Sequence, residues 1–228
     1  MIAIIPARGG SKGLPGKNIK SLNSMPLICY TIKAALSAVG VSRVVVSTDD
    51  KNIAYIARKC GADVPFLRPD RLSKDNSIAI DAYLFTIDKI AKEQQKKIHS
   101  FVVLLPTSPL RTSEDIDGAI EIFNKYKADS VVSVNEAEHP PEWYLNVDKN
   151  KKLVNYLPVS NAVKNRQEFK KLYIPNGAVY IFNTELLREE RLYYFNNTYP
   201  YIMPRERSVD IDDLLDFEWA EFLINKNK

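Results

Sequence analysis

Ile2-Ala3-Ile4-Ile5-Pro6-Ala7-Arg8-Gly9-Gly10-Ser11-Lys12-Gly13-Leu14-Pro15-Gly16-Lys17-Asn18 follows directly on Met1. Its first four residues are apolar and largely β-branched, the mark of a short buried strand. Four of the chain's eight glycines then fall in the eleven residues from Arg8 to Asn18, together with the cations Arg8, Lys12 and Lys17. In an open parallel sheet the loops after strand ends meet the ligand, and glycine lets backbone N–H groups approach phosphate oxygens closely. A strand delivering such a loop predicts an α/β fold that receives a nucleoside triphosphate. The loop is neither of the two common phosphate loops. A P-loop ending at Gly16-Lys17 needs glycine at position 11 and Ser or Thr at position 18, where Ser11 and Asn18 stand, and G-x-G-x-x-G has no match.

Strand and helix periods alternate outward from this stretch. Leu27, Ile28, Ile32 and Ala35 mark one helix, and Val44 to Val46 the next strand. Asp49 or Asp50 caps a second helix bearing Ile53, Ile56, Ala57 and Cys60 at i, i+3, i+4, i+7, with a short strand expected at Val64 to Leu67. A longer helix is predicted over roughly Ser77 to Lys92, then a buried strand at Phe101 to Leu105. The next helix carries Ile116, Ala119, Ile120 and Phe123 on one face, and Thr112 with Asp115 has capping-box spacing at its start. Val131 to Val134, Ala178 to Phe182 and Tyr199 to Met203 are further strands, and Leu215, Trp219 and Phe222 give the last helix an apolar face. This alternation predicts a doubly wound, mainly parallel sheet covered on both faces. It fails from Glu136 to Tyr173, a Lys-, Asn- and Pro-rich excursion with weak strand signals near Trp143 to Val147 and Leu153 to Leu157.

Composition excludes several classes. With 228 residues, 45% hydrophobic and 26% charged, the chain suits one large domain spanning 1–228. The longest apolar runs fall far short of the roughly 18–20 residues that span a bilayer. A net charge of +4 is too small to argue for nucleic acid, and Tyr193, Tyr194, Phe195, Tyr199 and Tyr201 are read as packing, with no aligned basic groove beside them. The N-terminus lacks a basic n-region, so a cytoplasmic location is expected. Cys29 and Cys60, without paired motif spacing, are read as reduced core residues. His99 is expected at the surface, and His139 is a candidate for the rim of a substrate pocket.

Asp210 and Asp212 lie two apart, which in an extended segment puts both carboxylates on one side. They suit either a hard cation or the start of the helix that follows, with Asp213 the better cap.

Taken together, Ile5-Pro6-Ala7-Arg8-Gly9-Gly10-Ser11-Lys12-Gly13 with Lys17-Asn18, Ser47-Thr48-Asp49, Arg68-Pro69 with Leu72-Ser73 and Asp75, Pro106-Thr107-Ser108-Pro109-Leu110-Arg111, Pro175-Asn176-Gly177-Ala178 and Asp210-Ile211-Asp212 resemble the CMP-sialic acid synthetases, or acylneuraminate cytidylyltransferases. The likeness runs over almost the whole chain. It implies a Rossmann-like nucleotidyltransferase fold, CTP and a nine-carbon 2-keto sugar acid as substrates, Mg²⁺ as cofactor, and a homodimer in which a small arm, residues 136–173, reaches toward the partner's acceptor site.

The resemblance also distributes roles. Arg8 and Lys17 are expected at the α-phosphate, with Gly9, Gly10, Ser11 and Lys12 around the outgoing phosphates. Asp210 and Asp212 are expected to hold the metal, Asp210 as a catalytic group. Asn18, Arg68 and Ser77 are expected near the nucleoside. Thr107, Ser108 and Asn176 are expected to offer short polar groups to the sugar, and Arg166 a bidentate pair to its carboxylate. Leu105, Glu142 and Ile174 stand where many sialate-type members carry glutamine, lysine and arginine, so legionaminate-, pseudaminate- or Kdn-like acceptors are open as well as neuraminate. A sugar-1-phosphate nucleotidyltransferase and a non-catalytic nucleotide-binding protein are the alternatives.

Overall fold

The computed structural model describes residues 1–10, 13–157 and 169–226. Strand β1 (Ile2–Pro6) lies inside the main sheet, one strand from its edge. Every second residue turns to the same face, and both faces are covered. Ala3 and Ile5 pack against helices α1 (Leu27–Ser37), α2 (Lys51–Lys59) and α4 (Ser113–Tyr126), whereas Ile2 and Ile4 pack against α3 (Ala79–Gln94) and α5 (Thr184–Glu190). Between β1 and α1 a two-residue hairpin pairs β2 (Ser21–Leu22) with β3 (Met25–Pro26), and Asn23 and Ser24 take the positive φ that such a turn demands.

The main sheet adds β4 (Arg43–Ser47), β5 (Ser100–Val103), β6 (Ser130–Glu136), β9 (Tyr173–Asn183) and β10 (Thr198–Ile202), in the order β10-β6-β9-β5-β1-β4. The pairs β1–β4, β1–β5 and β10–β6 are parallel, while β9 runs antiparallel between β5 and β6. Five of six strands therefore share one direction, as expected of a mainly parallel doubly wound sheet. The reversed strand, β9, carries the chain back from the 136–173 excursion. That excursion contains a second hairpin, β7 (Leu145–Val147) with β8 (Leu153–Asn155), where the weak strand signals lie. Its residues are exposed on both strands.

Capping follows the sequence closely. Thr112 and Asp115 form the capping box of α4, and Asp213 caps α6 (Leu214–Lys226) by accepting from the Asp216 N–H at 3.0 Å. Asp50 caps α2, accepting from Asn52 and Ile53.

Three expectations are corrected. Val64 to Leu67 is not a strand: only Asp63 bridges β4, because Pro65 has no N–H to continue a ladder. The predicted apolar face of α6 is turned outward, with Leu215 at 73% exposure. Phe217, Ala220 and Leu223 are buried instead, because that stripe faces the small core made by Leu14, Leu22, Leu27 and Ile211. Cys29 and Cys60 are not free thiols but a disulfide, with Cα atoms 5.7 Å apart. α1 and α2 lie side by side on one face of the sheet, which brings together two cysteines 31 residues apart. Among the described residues no helix is long and apolar enough to cross a membrane.

A buried ion pair ties the chain after β10 to α4. Asp115 is fully buried and takes both prongs of Arg207, at 3.0 and 2.8 Å, as well as the hydroxyl of Tyr201. Burial by itself would raise the Asp115 carboxyl, but the Arg207 fork, the Thr112 N–H and the Tyr201 hydroxyl outweigh it and hold the group below its ordinary value. Because the folded-state value is the lower one, the stabilisation is complete above the ordinary carboxylate range and is lost as pH falls through the folded value. Arg207→Met is expected to cost about 2–3 kcal/mol at neutral pH, the low side of losing a buried partner because Arg207 is itself partly exposed. In urea unfolding the gap to wild type should close as the carboxylate protonates. Equal stability at neutral pH would remove this role from the pair.

Candidate active site

The glycine-rich loop and the two late aspartates meet. The agent is Ile211, which is fully buried with Leu14, Leu22 and Leu27 while Asp210 and Asp212 on either side of it are exposed. The Ile211 N–H donates to the Thr107 carbonyl at 2.8 Å, and its own carbonyl accepts from Lys17 Nζ at 2.5 Å. Lys17 Nζ also lies 3.5 Å from Asp212 Oδ1. Gly13 passes so close that a Cβ there would sit 2.4 Å from the Asp212 carbonyl oxygen, so only glycine fits.

Two cavities open on either side of Arg8 and Leu105. One, of about 400 Å³, is lined by Arg8, Gly13, Lys17, Asn18, Thr107 and Asp212 among others. The other, of about 390 Å³, also touches Pro6, Arg8 and Leu105 and continues to Arg68, Ser77, Tyr83 and Tyr193. The shared residues make them two lobes of one cleft at the C-terminal ends of β1 and β5, where ligands of open α/β sheets bind.

Each wall of the cleft is pre-set by hydrogen bonds. Asn18 is buried and donates through Nδ2 to the Arg8 carbonyl at 3.0 Å, closing the loop at its base. Asp49 accepts from the Gly9 N–H at 3.2 Å and lies 3.5 Å from Arg68 Nη2. Arg68 is buried, which lowers its pKa, although Asp49 works in the opposite direction; its Nε donates to Ser73 Oγ. Arg8 Nη1 pairs with Asp75 at 3.0 Å, and Ser77 Oγ donates to the Arg71 carbonyl. Gly10 is exposed at the tip of the described part of the loop.

The Asp210 carboxyl is lifted above its ordinary value, first by desolvation, which the Thr107 hydrogen bond partly offsets; Asp212 pushes further up and Lys17 pulls down. The residue stays open to solvent. Of the charges that act on Asp210, Asp212 and Lys17 belong to the predicted site and Asp216 of α6 does not. The described residues contain no cluster of three or more His, Cys, Asp or Glu suited to a metal. Two carboxylates do fit Mg²⁺, which commonly takes one or two from the protein and the remainder from phosphates and water.

The structure does not bring every predicted residue to the cleft. Ser108 and Asn176 are buried and turned inward. Ser108 Oγ donates to the Asn176 carbonyl; Asn176 Oδ1 accepts from Ser133 Oγ at 2.6 Å, and its Nδ2 donates to Ser208 Oγ at 2.9 Å. Both polar side chains are engaged by hydrogen bonds within the protein. Ser11, Lys12 and Arg166 lie outside the described residues. His99 is exposed, and His139 lines a separate cavity of about 260 Å³ at the base of the 136–173 excursion. Glu142 and Ile174 are exposed, whereas Leu105 lies between the two lobes.

Other contributors were not assigned a role from sequence. Asp49 reads as a possible helix cap, yet of two adjacent acids only one is needed for capping, and the other is free to orient the loop. Tyr83 stands in the apolar stripe of α3 beside Tyr193, and burial pushes both phenols up. A hydroxyl at an otherwise apolar helical position is the available signal. Tyr193 reads as packing, and it does pack on Tyr180 and Phe182, but it also lines the cleft.

Known proteins match this arrangement over the full chain. The family model for cytidylyltransferases covers residues 2–218. A CMP-N,N'-diacetyllegionaminic acid synthase of Legionella pneumophila is 38% identical, over 100% of this chain and 97% of that protein. A pseudaminic acid cytidylyltransferase of Campylobacter jejuni is 32% identical, over 99% and 97%. An N-acylneuraminate cytidylyltransferase of Escherichia coli is 37% identical over 96% of this chain, which spans about half, 51%, of that longer protein. Among solved structures, a CMP:2-keto-3-deoxy-manno-octonic acid synthetase complexed with CTP superposes with a TM-score of 0.72, covering 100% and 99% of the two chains at 17% identity, a likeness of fold. A family model that spans residues 2–218 and relatives more than 30% identical over almost the whole chain show that the chain belongs to the cytidylyltransferase family.

Proposed function

We propose that the protein transfers CMP from CTP to the anomeric hydroxyl of a nonulosonic, nine-carbon 2-keto sugar acid and releases pyrophosphate. The observation that carries this reading is the contact of Lys17 Nζ with the Ile211 carbonyl and the Asp212 carboxylate inside a cavity that Arg8 also lines. One polyanion can then touch the cationic loop and Asp212 together, with Asp210 two residues away. The sugar oxygen bonds to the α-phosphorus, the bond from that phosphorus to the β-phosphate oxygen breaks, and the electron pair leaves with pyrophosphate. Little covalent work falls to the protein; its part is to hold the groups in line and stabilise charge on the phosphate oxygens.

Arg8 and Lys17 supply cations at the α-phosphate, and the Gly9 to Lys12 stretch is assigned to the departing phosphates. Leaving Asp75 and Asp212 for a phosphate costs Arg8 and Lys17 little, because these ion pairs are partly exposed. Asp210 and Asp212 would hold Mg²⁺, which when bound supplies Lewis-acid neutralisation of phosphate charge. The second lobe, with Arg68, Ser77, Tyr83, Tyr193 and Leu105, has the mixed apolar and polar lining that a nucleoside and a sugar acid require. The relatives' names span legionaminate, pseudaminate and neuraminate acceptors. We place the reaction in the cytoplasm, as expected of an N-terminus without a basic n-region.

A pyrophosphate-release screen crossing four nucleoside triphosphates with several nonulosonates should give turnover with CTP alone and a nucleotide sugar bearing a single phosphate. A product with two phosphates would identify a sugar 1-phosphate acceptor instead, and CTP binding without turnover a non-catalytic protein. In the same assay Lys17→Ala should lower kcat per folded molecule by about 10²–10³. Full turnover would disprove the α-phosphate role.

The 136–173 arm is proposed to make a homodimer. Leu145, Val147, Leu153, Val154 and Tyr156 are all more than 40% exposed on a hairpin too small to be stable alone, and apolar surface of this kind marks an interface. Light scattering should give about twice the 26.0 kDa chain mass. Replacing Leu145, Val147 and Leu153 together by serine should return the monomer; a monomeric wild type would refute the dimer.

A further inference from the structure

The loop from β5 to α4 turns around a buried cation to which the reaction above gives no role. Arg111 is 3% exposed. A single nitrogen of its guanidinium, Nη1, donates to three main-chain carbonyls, of Ser108 at 3.1 Å, Ala178 at 3.2 Å and Leu105 at 3.3 Å. Two of these belong to the loop and one to β9. Nε and Nη2 are buried with no hydrogen-bond partner among the described residues. Burial pushes the guanidinium down to about 9, against the pull of Asp115, so it is still a cation at neutral pH.

For stability alone this is a poor arrangement. A desolvated charge with two idle donors is costly, and a well-packed apolar side chain in its place is often no worse. Its visible effect is on geometry. The loop it gathers forms one wall of the cleft, through Leu105, Pro106 and Thr107. The Thr107 carbonyl receives the N–H of Ile211, the residue next to Asp210, at 2.8 Å, and the Thr107 side chain lies near enough to act on the Asp210 carboxyl. On the other side of the clamp, Ala178 follows Gly177, whose backbone takes φ +73°. A Cβ there would lie 3.2 Å from Asp210 Oδ2 and 3.3 Å from both Leu105 Cδ1 and Ser108 Oγ. Two chain segments that touch Asp210 or its neighbours, the loop and β9, are therefore drawn to one nitrogen.

We propose that Arg111 is a positioning residue: its Nη1 clamp on the carbonyls of Leu105, Ser108 and Ala178 sets the place of Thr107, and through it the place of the Asp210 carboxylate opposite the phosphate loop. This rests on the CMP-transfer reading of the cleft. Small displacements are enough for such a role, since a shift of about 1 Å at reacting groups can cost on the order of 10²-fold in rate.

The clamp uses one nitrogen, and that makes it separable from the rest of the side chain. A lysine ammonium carries three donors on one nitrogen and lacks the two idle ones, whereas methionine fills similar length with no donor. Arg111→Met is expected to lose about 10²-fold in kcat per folded molecule, with CTP affinity measured without metal near wild type and a higher Mg²⁺ requirement. Arg111→Lys should recover most of the rate. Its kcat relative to wild type should then fall as pH rises from neutral, because a neutral amine turns a lone pair toward the carbonyls. This second profile serves even where the methionine variant does not fold. Wild-type kcat in Arg111→Met, or an Arg111→Lys variant as impaired as Arg111→Met or flat against wild type with pH, would overturn the assignment while turnover by the wild type upholds the reaction. A wild type that turns over with no acceptor would overturn the reaction and the role of Arg111 together.

Discussion

The burial of Ile211 between two exposed acids is the constraint on which the site depends. An isoleucine side chain fully removed from water contributes roughly 1.5–3 kcal/mol, and this one spends that burial against Leu14 of the phosphate loop, Leu22 of the first hairpin and Phe217 of α6. The alternation of an extended chain then turns Asp210 and Asp212 outward. Residues almost 200 positions apart are thereby joined into one wall of one cleft, with Lys17 as the polar seal between them. Gly13, with no room for a side chain, lets the backbones approach.

The charges of the cleft are arranged as replaceable pairs. Arg8 rests on Asp75 and Lys17 on Asp212, both through partly exposed contacts that water screens. A triphosphate accompanied by a divalent cation carries both signs of charge and can take over both sets of partners. Deeper groups are not replaceable in this way. Arg68, Arg111 and Asn176 are buried, held by Asp49, by three carbonyls, and by Ser133 and Ser208, and they fix the shape of the site around the exposed pairs.

Much of the fold is legible in the sequence because its elements obey strong local rules. The strand at Ile2 to Ile5, the helix with Ile116, Ala119 and Ile120, the Thr112–Asp115 capping box and the Asp213 cap are each set by a period or a hydrogen bond within a few residues. The hairpin at Ser21 to Pro26 escapes that reading because two residues a strand is too short for any period. The face of α6 is misread because two apolar stripes compete, and only contact with Leu14 and Ile211 chooses between them. Of the site, the chemistry of Arg8, Lys17 and the paired acids is visible as residue type and spacing. Ser108 and Asn176 share that polar character, yet which way a short side chain turns depends on neighbours such as Ser133 and Ser208 that arrive from other strands.

By itself the sequence determined what kinds of groups are present and how each segment folds locally: alternating strands and helices, a cationic glycine loop after the first strand, and two acids on one side of an extended run. Those properties depend on bonds and periods spanning only a few residues. The tertiary structure alone decided that Asp50 caps while Asp49 steadies Gly9, that Cys29 meets Cys60, that β9 runs against its neighbours, and that Arg111 reaches carbonyls of two segments. Each of these depends on which distant surfaces are packed together, and that is settled by burial over the whole molecule.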